Sequence, residues 1–275
     1  AYGLAVLLFV IMLVWRRSSE LARMPGAPPD MPIGKVQVWP YRSMDLIALA
    51  AIVAVFYLLA ISNSVAVEAK DGPVITAGAV LFSIGFQIFT AVIVMAVVLA
   101  RVNPIKWLGL AWRRWPLVFA IAPVTVLSMW ALFAGLQLAG YMDLMDRLGV
   151  EKVQETVTIF QKEKDVMVVL LMAFAAAIVA PVCEEVVFRG YLYPVAKKFA
   201  GPWMAGLCSA LVFSAAHGSL TALLPLFVFG LVLVALYEFT GSIWAPMAVH
   251  FLFNGATVVV QLLPRLSELP ETVGQ

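Results

Sequence analysis

Val166-Met-Val-Val-Leu-Leu-Met-Ala-Phe-Ala-Ala-Ala-Ile-Val-Ala180 runs straight into Pro181-Val-Cys-Glu-Glu-Val-Val-Phe-Arg-Gly-Tyr-Leu-Tyr-Pro194. The first half carries no charge at all, and the two halves together are long enough to cross a bilayer. The second half places two adjacent carboxylates, Glu184 and Glu185, inside that apolar run, with Arg189 four residues further on. Ionisable groups are costly in hydrocarbon, so those found there are more often functional than decorative. The rest of the chain reads as spans that bring partners to Glu184.

The composition agrees with a membrane setting. Of 275 residues, 63% are hydrophobic and 12% charged, and the mean hydropathy is +0.99. Soluble domains carry about 25% charged residues, so this is an integral membrane protein. The formal net charge of +2 points to no particular partner, and no block rich in Lys and Arg suggests nucleic acid. The implied partners are membrane lipids and a membrane-associated substrate; nothing in the sequence bears on oligomeric state. Cys183 and Cys208 both fall in apolar runs and read as small buried hydrophobes.

Outward from the central stretch, the expected fold class is all-α, a polytopic transmembrane helical bundle of about eight spans. Residues 1–45 form an N-terminal span and a Pro-rich connector, Met24-Pro-Gly-Ala-Pro-Pro-Asp-Met-Pro32, suited to an extended path on the membrane surface. The apolar run Ala1–Val14 is shorter than the ~20 residues a crossing needs, which leaves open whether its start is trimmed. Residues 46–165 hold accessory spans at about Leu46–Ser62, Val74–Ala100 and Pro116–Gly140. Between the last two, Arg101 to Trp115 mixes tryptophans and arginines as an interfacial segment does. Tyr141 to Asp165 sets Val153, Val157 and Phe160 at helical spacing, which predicts an amphipathic helix outside the core. Residues 166–263 form the core spans Val166–Tyr193, Trp203–His217, Leu220–Glu238 and Ile243–Leu263, and 264–275 a tail.

Loop charges set an orientation. Arg16 to Arg42 holds five basic residues, Arg101 to Arg114 four, and Arg189 to Lys198 three, while Asp143 to Asp165 sets six acids against four bases. The positive-inside rule then places the three basic loops in the cytoplasm and both termini outside. Period-two alternation of a β-barrel and internal repeats of the transporter kind are both missing.

Both histidines of the chain, His217 and His250, lie inside predicted spans, and Asn254 follows His250 by four. Residues four apart share a helix face, so His250 and Asn254 point together, as do Glu185 and Arg189. Glu184 lies about 100° round from Glu185. At ~1.5 Å rise per residue, Glu184, His217 and His250 fall about 20, 22 and 12 Å in from their span ends, within the middle of a ~30 Å core. A lone intramembrane His or Asn is most often an interhelical hydrogen bond, and Glu185 with Arg189 is most economically a structural ion pair. Glu184 has no partner in its own helix.

Gathered in one volume, these groups can do chemistry. A carboxylate and an imidazole can hold a water and take its proton. A second imidazole with an amide can stabilise the oxyanion formed when that water attacks a carbonyl. This set requires no cofactor. Zinc on Glu184, His217 and His250 is the alternative left open, although the His-Glu-x-x-His helix signature is missing.

Glu184-Glu185-x-x-x-Arg189, Phe213-x-x-x-His217 and His250-x-x-x-Asn254, in that order, resemble the three motifs of the CPBP family. That family comprises the type II CAAX prenyl endopeptidases and their bacterial Abi relatives. Phe188-Arg-Gly-Tyr-Leu192 and Thr240-Gly-Ser-Ile-Trp-Ala-Pro246 are also similar, and the resemblance covers about Val166 to Gln261. It implies an intramembrane endopeptidase of a bacterial plasma (inner) membrane, with its cavity opening to the cytoplasm. By that resemblance Glu184 with His217 activates the water, and His250 with Asn254 stabilises the oxyanion. Glu185 and Arg189 hold the geometry of the site. The family has been described both as metalloproteases and as glutamate-dependent proteases. The alternatives from other classes are a non-catalytic bacteriocin-immunity or scaffold protein and, behind it, an ion-coupled transporter.

Overall fold

The computed structural model describes residues 2–21, 34–38, 41–67, 76–101, 103–150 and 163–267. Among them there are only helices and connections, with no strand. Eight helices correspond to the eight expected spans: α1 Tyr2–Leu21, α2 Met44–Val67, α3 Ala77–Leu99, α4 Val118–Leu138, α5 Val166–Ala200, α6 Pro202–Ala216, α7 Leu220–Thr240 and α8 Trp244–Ser267. Five of them are long and apolar enough to cross a membrane. Their outer faces expose large apolar side chains such as Phe82, Phe119 and Leu138, as a lipid-facing surface requires. The expected polytopic helical bundle is what the chain forms.

Local chemistry sets the ends of these helices. Thr76, Asp165 and Ser219 cap α3, α5 and α7, each side chain accepting from a backbone N–H of the first turn. Gly241 ends α7 in the left-handed region at φ +70°. Gly109, at φ +63°, lies against it so closely that a Cβ there would stand 1.9 Å from the Gly241 carbonyl oxygen. That close approach lets Ile243 N donate to the Leu108 carbonyl, tying the start of α8 to the loop before α4.

One expectation is corrected. Arg189 to Lys198 is not a loop: α5 runs unbroken to Ala200. Its cations are spent inside the protein, with Lys197 only 2% exposed and bonded to Glu238 at 2.5 Å. They therefore carry no weight in the loop-charge count. From Tyr141 a helix runs to Arg147, and Gly149 turns the chain at φ +70°. Val153, Val157 and Phe160 lie outside the described residues.

The end of the connector does more than skirt the surface. Val36 and Tyr41 are buried, and Lys35 N donates to the Glu238 carbonyl. Helix α5 sits at the centre of the bundle, with α3 along its first two thirds and α8 against its middle. The α6–α7 hairpin flanks it, α6 packing on its C-terminal part.

Candidate active site

Helix α5 contains two prolines, Pro181 and Pro194, and neither can donate the hydrogen bond a helix needs. Near each, the helix widens into i→i+5 turns, Ala175–Val179 and Glu185–Leu192. Such π-helical segments recur at functional sites. In the first, Ala180 N donates to the Ala175 carbonyl, so the next carbonyl, Ala176, faces the missing N–H of Pro181. Asn254 Nδ2 donates to that oxygen at 2.9 Å. In the second, the Gly190 carbonyl, four residues before Pro194, accepts from Tyr41 Oη at 2.9 Å. Side chains from distant elements thus satisfy a backbone carbonyl in the turn before each proline.

The second widened segment begins at Glu185, and it holds the charged centre. Glu185 Oε1 accepts from Arg189 at 2.9 Å and lies 2.8 Å from His250 Nδ1. All three residues are at most 1% exposed. The Arg189 guanidinium also donates to the Gly230 carbonyl at 3.3 Å and lies 4.5 Å from the centre of the Phe213 ring. Glu185 is therefore more than a partner for Arg189: it fixes the His250 ring. With an Nδ1–H given to an ionised Glu185, Nε2 is the atom left for chemistry, a lone pair in the neutral ring and a donor in the charged one.

On its other side His250 meets Glu184, with Nε2 3.8 Å from Oε2. This is too long for a direct hydrogen bond, and Glu184 Oε2 is buried without a protein partner. The two carboxylates, expected on different faces, flank one imidazole from opposite ends. The wider turn of the π-helical segment reduces the angle between successive residues, which lets both reach it.

Glu184 opens onto a cavity of about 120 Å³ whose wall also includes Cys183, Gln87 and His217. A larger, mainly apolar cavity of about 720 Å³ lies on the other side, between α4, α7 and α8, and is lined by both His217 and Asn254. His217 thus lies on both walls. It is the residue that ends α6, where the expected span Trp203–His217 also ends. Its Nδ1 is 2.8 Å from the Phe213 carbonyl, which leaves Nε2 unspent.

Glu184, His217 and His250 supply the donor types of a catalytic zinc site. Among the described residues, however, no three His, Cys, Asp or Glu groups stand close enough together to hold a metal ion. The arrangement as it stands does not fit zinc. Cys183, beside Glu184, is buried.

Sequence reasoning missed two groups here. Gln87 lies on α3, where an uncharged amide stands out little, although Ser83, Gln87 and Thr90 recur at helical spacing in an otherwise apolar helix. Tyr41 lies in the connector, and only the tertiary structure shows what it caps.

Comparison with known proteins follows the same boundaries. Residues 166–256 match the family model described as "Type II CAAX prenyl endopeptidase Rce1-like". A stretch of 99 residues is 32% identical to a Bacillus subtilis (strain 168) protein named "Putative membrane peptidase YdiL". That stretch covers 36% of this chain and 41% of the relative, well under half of each. No solved structure matches the chain significantly. Both matches support a membrane protease, and the motif resemblance to the CPBP family is borne out. Over residues 166–256 this integral membrane protein is similar to the Rce1-like endopeptidases.

Proposed function

We propose that this chain is an intramembrane endopeptidase that hydrolyses a peptide bond of a membrane-associated, lipidated or unmodified, protein or peptide. One observation carries the reading. Glu184 offers a buried, unpaired carboxylate oxygen 3.8 Å from His250 Nε2, on the wall of a cavity that it shares with His217.

The chemistry depends on which atoms are free. A water ~2.8 Å from both Glu184 Oε2 and His250 Nε2 fits the gap between them. Glu184 takes one proton as the water oxygen bonds to the scissile carbonyl carbon. The carbonyl oxygen becomes an oxyanion. His250 in its charged form and the second amide hydrogen of Asn254 are the donors placed to stabilise it. Collapse breaks the C–N bond, and the proton held by Glu184 passes to the leaving nitrogen. His217, with a free Nε2 on both cavities, is placed to assist the proton transfer. Glu185 and Arg189 hold the His250 ring and balance its charge. The large apolar cavity suits the non-polar part of a substrate. We place the protein in a bacterial plasma membrane with this site open to the cytoplasm, which the basic segments Arg16–Arg42 and Arg101–Arg114 support.

The test is comparative N-terminal proteomics of cells carrying the parent or Glu184→Ala protein at equal abundance. Fragments that disappear with Glu184→Ala support hydrolysis by this site. Identical fragment sets leave the scaffold or immunity reading in its place. Metal analysis of the purified protein, with activity measured before and after chelation, tests the zinc alternative.

A further inference from the structure

We propose that Gln87 is a water-positioning residue of this site, an inference that rests on the peptidase reading. Helix α3 lies outside the region matched to the family, yet it packs along α5 from Val166 to Leu192. It carries no charged residue, and its polar side chains, Ser83, Gln87 and Thr90, form a single stripe at i, i+4 and i+7.

Two members of the stripe reach the small cavity, Gln87 and Thr90. Thr90 is accounted for, because its hydroxyl donates to the Phe86 carbonyl at 2.9 Å. Gln87 is not. Its Nε2 reaches Ser83 Oγ at 3.5 Å, while its Oε1 is buried with no partner. Burying an amide oxygen unpaired is costly, and such an atom in a folded protein calls for an occupant. Glu184 lines the same cavity, and its Oε2 is the second orphan.

Two acceptors without a donor around one cavity specify what belongs there: a molecule with two hydrogens to give. Water is such a molecule, and about 120 Å³ accommodates it. One O–H points to Glu184 and the other to Gln87; one lone pair faces the Nε2–H of the charged His250, and the other faces the remaining direction, where a scissile carbonyl can enter. Glu184 removes the first proton. Gln87 holds the second in place, so the attacking lone pair stays aimed, as hydrolases that orient water with an uncharged amide do.

The experiment uses a peptide spanning a cleavage site found in the Glu184→Ala comparison, with purified full-length protein in lipid nanodiscs. Gln87→Leu should lower kcat by ~100-fold, the lower end of what one positioned proton-transfer contact contributes, while KM stays within about twofold. Its thermal midpoint should hold or rise, since an unpaired buried acceptor has been removed. Gln87→Glu, which keeps an acceptor oxygen in place, should recover at least part of kcat. Unchanged kcat in Gln87→Leu overturns the proposal. So does a rise in KM alone, which would make Gln87 a substrate contact, or a loss of kcat that Gln87→Glu does not relieve. If no fragment depends on Glu184, the peptidase reading fails and this one with it. If fragments depend on Glu184 and not on Gln87, only this one fails.

Discussion

Helix α5 carries two buried polar clusters, one around Glu184 and Glu185 and one towards its C-terminus, and they are finished differently. In the C-terminal cluster every carboxylate oxygen has a donor. Asp45 accepts from Arg101, from Tyr191 Oη at 2.8 Å and from Arg42 N at 2.6 Å. Glu238 accepts from Tyr193 Oη at 2.7 Å, Lys197 Nζ at 2.5 Å and Val36 N at 3.4 Å. Around Glu184 the cluster is left incomplete: Glu184 Oε2, Glu185 Oε2 and Arg189 Nε have no protein partner. Buried polar groups that are fully paired rigidify a fold, whereas unpaired ones are a cost the fold carries for another reason. The C-terminal cluster is closed by its own hydrogen bonds; the one at Glu184 is left open beside a cavity.

The sharpest way to break that contrast is Glu184→Ala. If the unpaired oxygen is there to act as a base, cleavage should fall by ~10²- to 10⁴-fold. The thermal midpoint should stay level or rise, because no protein hydrogen bond to Oε2 is lost. A variant that unfolds yet still cleaves in proportion to its folded fraction would put Glu184 in the structural class instead.

Next in size is Glu185→Ala, which attacks the paired half of the same site. It leaves Arg189 buried without its counter-charge and His250 without the group on Nδ1. Breaking a buried pair from one side costs about 3–5 kcal/mol, so unfolding in denaturant should shift by that amount and cleavage should fall as well. Glu185→Gln, which keeps an acceptor, should be milder in both. An unaltered unfolding midpoint in Glu185→Ala would show that the pair holds nothing together.

How legible this was in the sequence depended on charge and locality. Glu184, Glu185, Arg189 and the two histidines stood out because polar groups interrupt apolar runs, and i, i+4 spacing gave the Glu185–Arg189 pair its face. The spans were readable for the same reason. The π-helical turns were not, because the carbonyls of Ala176 and Gly190, in the turns before Pro181 and Pro194, find their donors in Asn254 and Tyr41. No local pattern records those pairings. Lys197 read as a loop cation because its partner Glu238 comes from another helix. Gln87 was readable as part of a stripe, but a neutral amide in an apolar helix is a weak signal beside a carboxylate.

Tyr41→Phe probes the closed cluster at smaller scale. It removes the donor to the Gly190 carbonyl and the acceptor used by Trp107 Nε1. Leaving a buried carbonyl unpaired costs about 1–3 kcal/mol. The thermal midpoint should drop accordingly, with cleavage per folded molecule unchanged. A fall in kcat at full folding would mean the two clusters are coupled along α5.

The smallest expected effect belongs to Cys183→Ala, and it separates lining the cavity from acting in it. Cys183 borders the same small cavity as Glu184 and is buried, so it reads as a filler of volume. Removing one sulfur should cost about 1 kcal/mol or less, near the middle of ordinary substitutions. Cleavage by purified Cys183→Ala, measured beside Glu184→Ala on the same peptide, should remain close to that of the parent. Complete loss in the cysteine variant with an intact fold would make the thiol the attacking group, and Glu184 would then serve to activate it instead of a water.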